Sequence, residues 1–114
     1  MNIQRPKNTK KEGVIEFLVY KEGKSYVGVC LTFDIVEEGN DPSELMKSIR
    51  EAAELHLEVV IKNDLSESLL NRYAPEEYWK IYFETAKKLE NPSLATTNSL
   101  IVSPYQSSLT AQFA

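Results

Sequence analysis

Between residues 14 and 60 the spacing of apolar residues changes from every second position to every third or fourth, which prescribes a sheet leading straight into a helix. Residues 14–20 are rich in β-branched and aromatic side chains, with Ile15, Phe17 and Val19 on one face. Residues 21–24 form a polar break in which Gly23 is free to take a positive φ, the signal of a hairpin loop. Residues 25–31 read as the return strand, with Val27, Val29 and Leu31 on one side. Gly28, on the other side, leaves a gap that suits a closely packed helix or a bulge. Residues 32–38 read as a third strand containing Phe33 and Ile35.

Residues 39–44, Gly-Asn-Asp-Pro-Ser-Glu, are the strongest local signal. Asp41 is a good N-cap, Pro42 fits the first helical position where no N–H is needed, and Glu44 suits a capping box. At 100° per residue, Leu45, Ile49, Ala52, Ala53, His56, Val59 and Val60 share one side and Lys47, Glu51, Glu54 and Glu58 the other. This helix is expected to end near Lys62 and Asn63, with Asn63 as its C-cap. His56, the only histidine, lies on the apolar side and is read as a packed core residue with one hydrogen bond. Cys30, the only cysteine, sits in a strand pattern and is read as a small buried hydrophobe.

Residues 66–73 suit a short helical turn. Pro75, Glu76 and Glu77 then start a second helix, which Asn91-Pro92 stops. Tyr78, Trp79, Tyr82 and Phe83 give it more aromatic surface than one face of a small sheet needs. Much of that surface can be core, and the remainder makes them candidates for a partner or oligomer interface, because such residues anchor interfaces. Leu100, Ile101 and Val102 form a short strand pattern in a charge-free tail and join that candidate surface. With no charge to deter pairing, this strand is expected against a sheet edge, its own or a neighbour's.

The chain of 114 residues is long enough for one self-sufficient core. The expected division is a flexible basic arm at 1–12, a single domain at 13–104 and a flexible tail at 105–114. Charge is unevenly spread along it. Residues 1–11 carry four bases and no acid, residues 12–90 carry all 17 acids against nine bases, and residues 91–114 carry no charged side chain. A body this acidic disfavours nucleic-acid phosphate and suits a basic protein partner. No apolar run is long enough for a membrane span and no signal pattern opens the chain, so a cytoplasmic protein is expected. Asp34, Glu37, Glu38 and Asp41 cluster in sequence but lie along one strand and its turn, whereas metal-assisted phosphoryl chemistry needs carboxylates converging from several elements. No phosphate loop, zinc spacing or nucleophile elbow is present, so no catalytic, cofactor-binding or metal-binding residue is assigned.

Three runs together, residues 26–30, residues 38–45 and residues 49–58, resemble the HicB-like antitoxin domain, with His56 where that family usually carries a tyrosine. The resemblance covers about residues 13–62. It implies a partial RNase H-like fold: three antiparallel strands, a packed helix and a later strand completing the sheet. It also implies a non-catalytic protein that binds and neutralises a small basic HicA-type toxin ribonuclease. The alternative is a stand-alone, self-associating HicB-like regulatory domain with no toxin partner. Operator binding, frequent in the family, is not expected, because residues 91–114 offer no base to contact phosphate. The fold class is therefore α+β: a three-stranded antiparallel sheet, one packed amphipathic helix, an aromatic-rich second helix and a C-terminal strand.

Overall fold

The computed structural model describes residues 7–90 and 98–106. The helix stop expected at Asn91-Pro92, the start of the basic arm and the tail beyond Gln106 lie outside the described residues. The elements are β1 (Glu12–Glu22), β2 (Ser25–Cys30), β3 (Ile35–Gly39), α1 (Pro42–Lys62), a 3-10 turn (Glu67–Leu70), α2 (Glu76–Glu90) and β4 (Ser99–Gln106). They form an α+β fold whose sheet runs in the order β3-β2-β1-β4, with every neighbouring pair antiparallel. Among the described residues no helix is long and apolar enough to cross a membrane.

The first hairpin closes as its composition requires. Glu22 pairs with Ser25 across two residues, and Gly23 takes φ +65°, as the first position of a tight hairpin turn demands. The third strand is shorter than expected, because Asp34 takes φ 56° and breaks the chain direction. Residues 31–34 are therefore the turn, β2 ends at Cys30 and β3 starts at Ile35. That turn is well packed. Thr32 is buried and its Oγ1 accepts from the Glu16 N–H at 3.1 Å, while the buried Phe33 ring stacks on His56 at 4.8 Å.

Both faces of the sheet are apolar, and each is covered by its own helix. Ile15, Phe17, Val19 and Cys30 face α1, meeting Leu45, Met46, Ile49, Ala53 and Val60. Leu18, Val27, Val29 and Leu31 face the other way, onto Ala74, Trp79 and Tyr82. Phe17 shares the layer of α1 with Ile49 and Ala53, whereas Val29, expected to meet the same helix, belongs to the layer of α2 because alternate residues of a strand face opposite ways. Gly28 explains how α1 lies so close: a Cβ there would come within 2.0 Å of Ile49 Cδ1.

Helix α1 has the N-cap and C-cap residues read from the sequence. The Asp41 carboxylate accepts from the N–H groups of Ser43 (2.9 Å) and Glu44 (3.2 Å), and Pro42 opens the helix. At the other end Asn63 donates to the Val59 carbonyl, and the left-handed residue is Asp64, at φ 49°. Replacing Asp41 with Ala should cost about 1 kcal/mol, read as a lower urea midpoint at unchanged slope, and Asp41→Asn should largely spare it. The buried face is rotated from the expected one. Met46 is inside and Val59 is 42% exposed, because the face centres on Ala53 and Val60.

The arm expected to be free through residue 12 is docked from Asn8 onward. Asn8 is buried; its Nδ2 donates to the Val14 and Leu70 carbonyls and its Oδ1 accepts from the Val14 N–H. Asn71 brackets the same residue, accepting from its N–H and donating to its carbonyl. Lys10 pairs with Asp64 at 2.5 Å, and Tyr105 donates to the Thr9 carbonyl at 2.8 Å. Polar side chains in the leader thus hold it against residues 64–71 and β4.

Candidate functional site

The surface expected on α2 is largely interior. Trp79 is fully buried and Tyr82 is 6% exposed, with Tyr78 and Phe83 half-buried around the same core. Interface roles for Trp79 and Tyr82 are thereby corrected: the sheet has a second apolar face, and these rings fill it. Tyr82 also reaches Glu16, which projects from β1 on that side. Burial holds the Glu16 carboxyl above its ordinary range, while the hydrogen bond from Tyr82 pulls it down.

The expected C-terminal strand forms, and on its own sheet. β4 pairs with β1 over its full length, from Glu12 opposite Gln106 to Val19 opposite Ser99. Leu100 packs into the α2 layer and Ile101 into the α1 layer, while Val102 remains 54% exposed. The strand runs past residue 104 to Gln106, with Tyr105 held by Thr9.

The sheet therefore ends in two edges, β3 and β4, and among the described residues neither carries a further strand. Alternation fixes which backbone groups point outward. The Glu16 carbonyl accepts from the Leu31 N–H, so the even-numbered residues of β1 address β2. Followed through the registers of β1 with β2 and β2 with β3, this turns the N–H and C=O of Val36 and Glu38 to the open side of β3.

That β3 edge is strongly acidic. From residue 25 to 46 the chain carries Asp34, Glu37, Glu38, Asp41 and Glu44 and no base. Two of these carboxylates are held by hydroxyls, Glu37 by Ser48 Oγ of α1 (2.7 Å) and Glu38 by Ser25 Oγ (3.0 Å). Ser48 also marks where α1 runs beside β3. Farther along α1, Leu55 is 62% exposed and Val59 42%, one turn apart on the outer surface. Leu55 went unassigned in the sequence, although an apolar pair four residues apart outside the buried stripe was a usable signal. Val36, 45% exposed, lies on the α2 side of β3, the opposite face from this pair.

His56 and Cys30 are packed as expected. His56 Nε2 donates to the Leu69 carbonyl at 2.6 Å, and burial pushes the Cys30 thiol up to about 12. Among the described residues no group of three or more His, Cys, Asp or Glu is placed to hold a metal ion. Compared with protein-family models, curated proteins and solved structures, the chain matches none of them.

Proposed function

We propose that this chain is a non-catalytic, HicB-like antitoxin-type protein that binds and neutralises a small basic HicA-type toxin ribonuclease. The observation that carries the reading is the open edge of β3, with Val36 and Glu38 offering backbone partners and five acids along residues 34–44. A basic polypeptide added to this edge would extend the sheet and meet complementary charge. The arrangement implied by the HicB-like resemblance supports the reading as well: three antiparallel strands, a helix laid on them and a later strand completing the sheet.

The test is first whether a small basic reading frame lies beside this one in its host, the absence of which would favour the stand-alone reading, and then what its product does. The two proteins mixed in equal amounts should elute together by size exclusion, and RNA cleavage should stop. The double variant Glu37→Lys, Glu38→Lys should weaken the complex by roughly tenfold or more, because it places like charge against the partner. Cleavage that continues at equimolar chain ends the reading, and full affinity in the double variant moves the partner off β3. A second reading, a stand-alone self-associating HicB-like regulatory domain, is favoured by the uncharged outer edge of β4.

A further inference from the structure

We propose that the outer edge of β4 pairs antiparallel with the same edge of a second copy of this chain, with Leu100 opposite Val102 of the copy and Ile101 opposite its own equivalent. The inference deepens the self-association reading, and it holds equally for an antitoxin, since β3 remains open in the pair.

The direction of the backbone groups on β4 comes from β1. Val14 spends both its N–H and its carbonyl on the Asn8 side chain, and Glu16 spends its own on Thr32 and Leu31. All of these lie on the side of β1 away from β4. In an antiparallel ladder, residues opposite such positions also turn their polar groups away from the shared edge. Those residues are Pro104, opposite Val14, Val102, opposite Glu16, and Leu100, opposite Leu18. Leu100 and Val102 therefore present N–H and C=O outward, and Pro104 presents a carbonyl alone. A proline is tolerated at such an outward position because the ladder to β1 asks no N–H of it.

Pro104 then selects the register. Centring the two-fold on Val102 would oppose Pro104 to Leu100 of the copy and forfeit a hydrogen bond in each direction. Centring it on Ile101 opposes Leu100 to Val102 twice and closes four hydrogen bonds without calling on proline. The same register gathers Leu100 and Val102 of both copies on the α2 side, covering the exposed Val102. A two-fold contact of this kind is self-complementary and closes at two copies.

Charge identifies the second copy as the occupant. Residues 12–90 carry 17 acids against nine bases, so most approaches of two chains bring acid to acid. β4 carries no charge over its eight residues, so two copies meet there without repulsion. Edges meant to stay bare are usually blunted with charge or proline; β4 has no charge, and its one proline, Pro104, takes no part in the four bonds of this register. A basic partner, by contrast, finds nothing on β4 to recognise.

Sedimentation of the full chain tests this, and because the chain is alone, its outcome leaves the toxin reading untouched. A dimer is expected at micromolar concentration. Val102→Pro deletes an outward N–H from each copy while keeping the pairing with β1, and should weaken the dimer roughly 10–100-fold. Val102→Lys, which adds the usual edge-blunting charge, should act alike and serves if the proline variant does not fold. Ile101→Cys should give a covalent dimer on mild oxidation, since a non-hydrogen-bonded pair brings Cα atoms to about 4.5 Å. Ser103→Cys, opposite residue 99 of the copy, should remain uncrosslinked. A chain that stays monomeric to roughly 20 times micromolar concentration, a folded Val102→Pro that dimerises as before, or a crosslink at Ser103 in place of Ile101 would each overturn the proposal.

Discussion

Replacing Trp79 with alanine should lower the unfolding free energy by about 3–5 kcal/mol, the range for deleting a fully buried tryptophan. Trp79 is completely enclosed, with its ring 6.2 Å from Tyr73, 5.9 Å from Tyr82 and 6.1 Å from Phe83. It is the centre of everything that α2 contributes to the far side of the sheet. A domain of this size is typically stable by about 5–15 kcal/mol, so the loss removes a large share of the total. Urea unfolding followed by far-ultraviolet circular dichroism measures it, since the variant has no tryptophan to follow. Trp79→Phe, which keeps an aromatic ring in place, should recover part of the loss. An alanine variant of unchanged stability would mean that α2 does not pack on this face, and the two-layer account of the core would fall with it.

The second large effect should come from a residue in the leader. Asn8→Ala should destabilise by about 2–4 kcal/mol, because it strands the Val14 N–H, the Val14 carbonyl and the Leu70 carbonyl at once. Each buried group left unpaired costs about 1–3 kcal/mol, softened where water reaches it. Asn8→Asp should be at least as damaging, since a carboxylate there would face two carbonyl oxygens without a donor. Thermal melts should fall by about 10 °C, and Lys7→Ala, one residue earlier and exposed, should leave them in place. Equal melts for Asn8→Ala and Lys7→Ala would show the leader to be dispensable.

These two residues also mark what the sequence could and could not convey. The strand–strand–helix order was legible because each piece is local: Gly23 in its turn, Asp41 and Pro42 at the helix start, Ile15, Phe17 and Val19 in alternation. The second apolar face was not read, although the unbroken runs Phe17-Leu18-Val19 and Val29-Cys30-Leu31 carried a signal of it. Alternation gives way to continuity where a strand is covered on both sides. Such runs predict a second covering layer, and the aromatics of α2 are that layer. Asn8 was not legible. A polar residue in a basic leader looks solvated, and its partners Leu70 and Asn71 lie more than sixty positions away. The candidate edges were legible in part. The acids of residues 34–44 and the neutral tail stand out by composition, but which strands are outermost depends on strand order, and no local pattern carries that. Asp34 shows the same limit on a smaller scale, since its left-handed backbone shortens a strand that apolar spacing alone would extend.

The central position of β1 bears on how the chain comes off the ribosome. β1 is synthesised well before its partners: one of its flanks waits for residues 99–106 and its leader clasp for Leu70 and Asn71. Until then it is a long apolar strand with one side bare, at the stage when nascent chains are most prone to associate wrongly. The sheet closes only once residues 99–106 are available, and pairings so distant along the chain form slowly.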